Sequence, residues 1–216
     1  MTFIIAIQLQ DSIIVAADNR SATIDYKIHS DQTPKLYAWK NGIIVGSGEM
    51  TVISRAVEFF IKLSKSNIKD LPKCLKISIL MRELEAKNFH ITTTKIMYSK
   101  STLSGAQLYT IQPNKNDEYR LEKFKINEII LWLFNPDISH IRTELKTLYA
   151  NLKPCYYFNN KNEWVNYYLE QLNIIFKKQV QIDQTMSASF DIFFQTKDDY
   201  CHEYISSTRT ISGHGE

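Results

Sequence analysis

Glycine is scarce in this chain of 216 residues, at only 6 positions. So few glycines argue against a glycine-rich phosphate-binding loop, which needs several of them close together. Cysteine is also rare: Cys74, Cys155 and Cys201 lie far apart, and no two of them form a C-x-x-C pair. A disulfide framework is therefore not indicated, and we expect reduced thiols in a cytosolic protein.

Long apolar runs and a strong charge of one sign are missing as well. The longest uncharged apolar run falls far short of a membrane span, and the first residues lack the basic region and cleavage site of a secretory signal. The formal net charge is +3, which attracts a nucleic acid weakly at cellular salt. We therefore expect neither a membrane nor a nucleic acid as partner, and we predict a cytoplasmic location.

The five histidines show no spacing typical of a metal site, and each is expected to be structural or exposed. We accordingly predict no metal and no cofactor. The composition, 44% hydrophobic and 23% charged, is that of an ordinary globular protein. No linker or repeat divides the chain, so we predict one domain over residues 1–216, with a loose polar tail at 206–216.

Hydrophobic periodicity predicts blocks of strands that alternate with pairs of helices. Strands are predicted over residues 3–9, 12–17, 35–39, 43–46, 91–98, 107–112, 119–125, 128–134, 189–196 and 200–205, and helices over 49–63, 70–84, 138–152 and 163–176. This order indicates two antiparallel sheets packed face to face, with helix pairs outside them. The predicted fold class is therefore α+β, a four-layer αββα sandwich.

The second residue carries the first chemical signal. Thr2 is small enough that we expect a methionine aminopeptidase to remove Met1, which would give Thr2 a free α-amine beside its hydroxyl. An α-amine has a pKa of about 7.7–8.0, so it can act as a base near neutral pH. A threonine hydroxyl becomes a nucleophile when such a base takes its proton.

Three further residues fit a site built around Thr2. If the first two predicted strands form a hairpin, Asp18 at the end of the second lies near Thr2. Lys35 beside the nucleophile would stabilise an alkoxide and keep the α-amine neutral by repulsion between like charges, and Asp18 would hold that lysine in place. The backbone N–H of Gly48, or alternatively of Glu49, would face an oxyanion.

Together these residues resemble a known family. The matching positions are Thr2, the run Ile14-Val15-Ala16-Ala17-Asp18 with Arg20, then Lys35, then Gly46-Ser47-Gly48. They resemble proteasome β-subunits and the HslV-type peptidases, which are N-terminal-nucleophile hydrolases. The clear resemblance covers residues 2–48, and a fainter one covers 183–199.

The resemblance implies an αββα fold and hydrolysis of peptide or amide bonds through an acyl-Thr2 intermediate. It also implies a homo-oligomeric ring, a peptide or protein substrate, and an ATP-dependent unfoldase as a possible partner. By this resemblance, Thr2 is the nucleophile and base, Lys35 tunes its pKa, and Asp18 orients Lys35. The N–H of Gly48 binds the oxyanion. Asp183 and Ser187 support the α-amine of Thr2, and Met186 is the alternative to Ser187 at its position.

One departure from the family pattern keeps other functions open. Active members usually carry a Gly-Ser-Gly turn before the third helix, and the corresponding stretch 126–136 contains neither glycine nor serine. A catalytically inactive assembly subunit or binding module on the same fold is therefore the alternative. A small-amide hydrolase that forms a smaller oligomer is a third hypothesis.

Overall fold

A computed structural model describes residues 2–22, 27–113 and 119–208 of the chain. Met1, and the predicted tail from residue 209 onward, lie outside the described residues. The strands are β1 (Phe3–Gln8), β2 (Ile13–Asp18), β3 (Ser21–Ala22), β4 (Ile28–Ser30), β5 (Leu36–Trp39), β6 (Gly42–Ser47), β7 (Lys95–Thr102), β8 (Gly105–Pro113), β9 (Tyr119–Lys123), β10 (Glu128–Leu133), β11 (Phe190–Gln195) and β12 (Tyr200–Ile205). The α-helices are α1 (Met50–Lys62), α2 (Leu71–Glu85), α3 (Phe89–Thr92), α4 (Arg142–Ala150) and α5 (Lys161–Gln179).

The fold is α+β, with two five-stranded antiparallel sheets. One sheet has the order β10-β1-β2-β11-β12 and the other the order β5-β6-β7-β8-β9, while β3 and β4 form a small separate ribbon. The hairpin predicted over the first two strands is confirmed, with Ile4 opposite Ala17. A second hairpin joins β5 to β6 through the turn at Asn41-Gly42, where Trp39 pairs with Gly42.

The alternation of side chains along β1 divides them between two apolar clusters. Ile4 packs with Met97 of the second sheet, whereas Ile5 packs with Phe176 of α5. A third cluster joins α1 and α2 to the second sheet and includes Phe60 and Tyr98. Each large side chain buried in this way contributes about 1.5–3 kcal/mol relative to exposure, and together the clusters hold the ends of β1 and β2 in fixed positions.

One predicted element is wrong. The strand expected over 91–98 begins only at Lys95, because α3 occupies Phe89–Thr92. The side chain of Asn88 caps this helix by accepting a hydrogen bond from the His90 N–H at 3.0 Å. The Thr94 hydroxyl then donates to the His90 carbonyl at 2.7 Å. These local hydrogen bonds stabilise a helical turn in a β-branched stretch that by composition favours a strand.

Candidate active site

A cavity of about 520 Å³ opens where β1, β5 and β6 have their ends on one side of the molecule. Its lining residues are Thr2, Ser21, Ala22, Lys35, Tyr37, Gly46, Gly48, Glu49, Met50, Ile53, Arg82, Asn88 and His90. Three of the six predicted site residues are among them. Thr2 immediately precedes β1, Lys35 precedes β5, and Gly48 follows β6, so the fold brings together residues that lie up to 46 positions apart along the chain.

Asp18 and Lys35 form a buried ion pair beside this cavity. The Lys35 Nζ donates to Asp18 Oδ1 at 2.6 Å, and the side chains are 8% and 0% exposed respectively. The Asp18 carboxylate also accepts hydrogen bonds from the backbone N–H groups of Phe3 at 2.8 Å and Arg20 at 3.0 Å. Burial lowers the pKa of the Lys35 ammonium, and the charge of Asp18 opposes that shift. The ion pair therefore holds a lysine whose ammonium is desolvated at the cavity.

The strands on both sides of β1 fix the position of Thr2. Its carbonyl accepts a hydrogen bond from the Phe134 N–H at 3.2 Å, and the next residue, Phe3, is bonded to Asp18. Thr2 is 8% exposed and lines the cavity. Because it is anchored between β2 and β10, its position is set by a rigid element, as a reacting group requires.

The turn after β6 requires glycine. Gly48 has φ +122°, and a Cβ there would lie 2.5 Å from Thr94 Oγ1, so a larger residue would be strained and crowded. The Glu49 N–H donates to Thr94 Oγ1 at 3.0 Å, and the Glu49 side chain caps α1 by accepting from the Val52 N–H at 2.8 Å. Glu49 is thus engaged within the protein, which favours Gly48 as the oxyanion donor.

Ser187 lies behind the ion pair and does not line the cavity. Its N–H approaches Asp18 Oδ2 at 3.4 Å, while its hydroxyl accepts from the Asn19 N–H at 3.0 Å and donates to the Ser189 carbonyl at 2.8 Å. Met186, which competed for the same role, is buried in the apolar core. The structure therefore connects Ser187 to Asp18, and support of the Thr2 amine stays a prediction.

Asp183 is also buried and outside the cavity lining. Its carboxylate accepts a hydrogen bond from the Thr185 N–H at 2.9 Å. Its charge raises the pKa of Lys35, although less than burial lowers it. Asp183 therefore acts on the cavity through its field, and direct contact with the Thr2 amine stays a prediction.

No pattern in the sequence predicted one group of the residues that line the cavity. Arg82, Asn88 and His90 come from the end of α2, the connection after it, and α3. His90 was expected to be structural, and α3 was expected to be a strand. The cap signal of Asn88 could have revealed α3, but no pattern in the sequence shows which of its residues faces the cavity.

The stretch 126–136, which contains neither glycine nor serine, includes strand β10. Residues Glu128–Leu133 form β10, which pairs with β1 so that Leu133 lies opposite Phe3. The next residue, Phe134, then passes Thr2. The backbone of a phenylalanine thus passes the predicted nucleophile, where the family pattern places a small polar turn.

No group of three or more His, Cys, Asp or Glu side chains within residues 2–22, 27–113 and 119–208 is arranged to hold a metal ion. In the same part of the chain, none of the helices combines the length and the apolar content that crossing a membrane requires.

Neither a protein-family model nor a curated protein sequence matches the chain. Solved structures do match. The helical assembly of the Anbu complex from Pseudomonas aeruginosa has a TM-score of 0.70 at 12% identity, covering 96% of this chain and 88% of that one. Anbu, the ancestral β-subunit, from Yersinia bercovieri has a TM-score of 0.67 at 10% identity over 96% and 88%. The Gly-1 mutant of Anbu from Hyphomicrobium sp. strain MC1 has a TM-score of 0.66 at 12% identity over 96% and 89%.

These similarities correct the family assignment made from the sequence. The similar structures are Anbu proteins, and identities of 10% to 12% show a shared fold alone. The assignment to proteasome β-subunits and HslV-type peptidases, and with it to N-terminal-nucleophile hydrolases, is therefore wrong as a family identification. The residues that carried the resemblance lie at strand ends and tight turns. Such positions are set by the fold, so they indicate the fold and do not distinguish one family that has this fold from another. The chain has the α+β fold of the Anbu proteins.

Proposed function

We propose that the chain is a threonine hydrolase that cleaves peptide or amide bonds through an acyl-Thr2 intermediate. The observation that carries this proposal is the buried Asp18–Lys35 ion pair at a cavity that Thr2 also lines. Buried charges are costly for stability unless they are well paired, and perturbed lysines in clefts are frequent at reactive sites. The proposal requires that Thr2 become the first residue of the mature chain.

The chemistry follows from groups at the cavity. The Thr2 hydroxyl oxygen attacks the substrate carbonyl carbon while the Thr2 α-amine takes the hydroxyl proton. The Gly48 N–H stabilises the resulting oxyanion. The bond to the leaving nitrogen then breaks, and the α-amine passes its proton to that nitrogen. Water next attacks the ester carbon and gives a proton to the α-amine, the ester bond breaks, and the proton returns to the Thr2 oxygen.

Lys35 serves this sequence through its charge. A cation near the Thr2 oxygen favours the developing alkoxide, and it also disfavours a second positive charge on the neighbouring α-amine. Burial lowers the pKa of Lys35, and the Asp18 carboxylate opposes that shift and so favours the charged form. The two residues therefore provide an electrostatic field rather than a proton-transfer step.

Replacing the nucleophile tests the proposal. Thr2→Ala keeps a small second residue, so removal of Met1 should be unaffected while the hydroxyl is lost. We expect amide hydrolysis to fall by more than the about 10²–10³-fold that loss of one oxyanion donor costs. Thr147→Ala, at an exposed position on α4, is the matched control and should keep full activity. Hydrolysis that persists in Thr2→Ala, or Met1 retained in the intact mass of the wild type, would contradict the proposal.

A second candidate function is a catalytically silent assembly subunit. The observation that favours it is Phe134 beside Thr2, where a small polar turn would serve proton transfer better. This candidate predicts that Met1 is retained and that threonine-directed electrophiles do not label the protein. The intact mass before and after treatment with an epoxyketone separates the two candidates.

We further propose that copies of the chain assemble through the outer side of α2 and α3. Ile77, Leu80 and Leu84 recur at helical spacing on α2 and are 39%, 51% and 90% exposed, and Phe89 of α3 is 75% exposed. Apolar side chains that share one face in this way, unlike scattered ones, are typical of contact surfaces. Support also comes from the Anbu complex of Pseudomonas aeruginosa, which forms a helical assembly. Leu84→Lys should lower the solution mass measured by light scattering, and an unchanged mass would contradict the proposal. The substrate, an unfoldase partner and a cytoplasmic location stay predictions.

The four-layer αββα arrangement in a single domain is likewise proposed. Its support is the set of three apolar clusters, one shared by the two sheets and one on the outer face of each sheet. An experimental structure in which the helices cover other faces would contradict it.

A further inference from the structure

The walls of the cavity differ in chemistry according to the element that supplies them. β5 and α1 contribute apolar side chains, including Tyr37 and Ile53. The end of α2 and the α3 region contribute Arg82, Asn88 and His90. We call these last three residues the polar wall. A cavity with one apolar and one polar wall can select a substrate by two different features.

The polar wall is rich in hydrogen-bond donors. The Asn88 side-chain oxygen already accepts from the His90 N–H at 3.0 Å, so its NH₂ group is the end that remains for a ligand. Within the described ranges, neither that NH₂ group nor the imidazole nitrogens of His90 hydrogen-bond to another residue. A neutral imidazole presents one N–H donor and a protonated one presents two.

The acidic residue at the same cavity, Glu49, already has partners for both of its carboxylate oxygens. Glu49 Oε2 accepts from the Val52 N–H at 2.8 Å, and Glu49 Oε1 pairs with the Arg82 guanidinium at 3.1 Å. A guanidinium carries five N–H donors, and Arg82 spends some of them on Glu49 and Glu85. Donors on this wall therefore exceed acceptors, which favours a ligand that brings an anionic oxygen.

The polar wall is also connected to the nucleophile. The His90 ring lies 5.8 Å, centroid to centroid, from the ring of Phe134. The Phe134 N–H in turn binds the Thr2 carbonyl. His90 thus lines the same cavity as Thr2 and stands on the side where β10 passes Thr2.

We infer that His90, with Asn88 and Arg82, is a specificity-determining residue that binds a side-chain carboxylate of the substrate. The inference rests on the proposed function and names its substrate class, which is peptides or amides with an acidic residue on the acyl side of the cleaved bond. An imidazole N–H and an amide NH₂ donate to the carboxylate, and such charge-assisted hydrogen bonds are stronger than neutral ones.

Paired substrates test the inference by kinetics. Two fluorogenic amides that differ only in glutamate or norvaline on the acyl side are compared by kcat/KM. Loss of one hydrogen bond to a charged group costs about 1.5 kcal/mol or more, so His90→Ala should lower the glutamate-to-norvaline ratio about tenfold. His140→Ala, at an exposed position outside the cavity, is the matched control and should leave the ratio unchanged. A ratio that is the same in His90→Ala and wild type overturns the inference.

A binding measurement separates this inference from the proposed function. Thr2→Ala protein is titrated with N-acetylglutamate amide or with N-acetylnorvaline amide, and the His90 imidazole resonances are followed by NMR. A shift of the His90 resonances with the acidic probe alone, while the resonances of the exposed His140 stay in place, supports the polar wall even if the wild type hydrolyses neither substrate. No selective shift overturns the inference, even if hydrolysis depends on Thr2.

Discussion

The two ends of the β1–β2 hairpin are both polar and buried, yet they are built differently. At the Thr2 end, Asp18 and Lys35 place opposite charges beside an open cavity. At the other end, two neutral amides meet between the sheets, where Gln107 Nε2 donates to Gln8 Oε1 at 2.9 Å. Both ends therefore bury polar atoms, but only the first buries charge.

The amide end is saturated with hydrogen bonds. Gln8 Nε2 donates to the Leu9 carbonyl at 2.8 Å and to the Ala106 carbonyl at 3.0 Å, while Gln8 Oε1 also accepts from the Leu108 N–H at 2.8 Å. A neutral network in which every group is paired rigidifies a core. A buried ion pair, by contrast, is weak support for stability, since apolar residues of similar volume often serve as well. We therefore propose that the amide end serves the fold and that the charged end serves the proposed chemistry.

The largest expected effect comes from breaking the charged end. Lys35→Met leaves Asp18 buried without its cation, which should lower the free energy of unfolding by about 3–5 kcal/mol. Amide hydrolysis should also fall by about 10²–10³-fold, as when an electrostatic contact to the transition state is lost. Urea denaturation and steady-state kinetics measure the two effects.

A double variant separates stability from chemistry. Asp18→Asn/Lys35→Met removes the unpaired charge, so much of the stability should return while the activity does not. A double variant that hydrolyses amides at the wild-type rate would show that the charged end serves the fold alone.

Two strained glycines sharpen the comparison because one lies at each end. Gly48 has φ +122° and Gly105 has φ +136°, and a Cβ at Gly105 would collide with the Asp11 carbonyl. Gly48→Ala and Gly105→Ala should both lower the melting temperature, because L residues rarely adopt such φ values. Gly48→Ala alone should reduce kcat/KM, by about 10²-fold, since it displaces one oxyanion donor. Equal kinetic losses in the two variants would argue against an oxyanion role for Gly48.

Breaking the amide end should affect folding alone. Gln8→Leu removes the acceptor for Gln107 and for the Leu108 N–H, and leaving such groups unpaired costs about 1–3 kcal/mol. We expect the free energy of unfolding to fall by that amount in a urea titration. The kcat/KM per folded molecule should not change, and a change would contradict the assignment of this end to stability.

The smallest expected effect concerns a second buried acid at the Thr2 end. Burial raises the pKa of Asp191, although the Asn19 side chain, which donates to it at 2.6 Å, opposes the shift. Between the ordinary and the raised pKa the folded state binds more protons than the unfolded state, so stability falls as the pH rises through that window. Asp191→Asn keeps an acceptor for Asn19 and should flatten this decline. Urea titrations from pH 3 to pH 7 measure the slope, and parallel curves for the two proteins would contradict the shift.

Much of the hairpin and the charged end could be predicted because their signals are local. The apolar run of β2 stops at Asp18, and a two-stranded pairing places that residue beside the start of β1. Lys35 precedes β5, so its approach to Asp18 depends on how the two sheets pack. Lys35 was proposed from its place at the start of a predicted strand and from its charge, and no periodicity shows that it reaches Asp18.

The polar wall could not be predicted because it depends on tertiary placement. A β-branched stretch became the helix α3 through the cap of Asn88, and the path of β10 brought Phe134 to His90. The roles expected of Asp183 and Ser187 presupposed contact with the Thr2 amine. The structure places Ser187 against Asp18, and contact of either residue with the Thr2 amine stays a prediction. Short motifs thus indicated the fold. The similarity to Anbu structures became visible only when the whole fold was compared.

The central claim is that the hydroxyl of Thr2 and its own freed α-amine act together as the nucleophile and base. The most direct measurement treats the wild-type protein with an epoxyketone and maps the adduct by mass spectrometry of the N-terminal peptide. The account predicts a peptide that begins at Thr2 and carries one adduct, which Thr2→Ala does not form. A peptide that retains Met1, or an adduct at another residue with Thr2 unmodified, would contradict it.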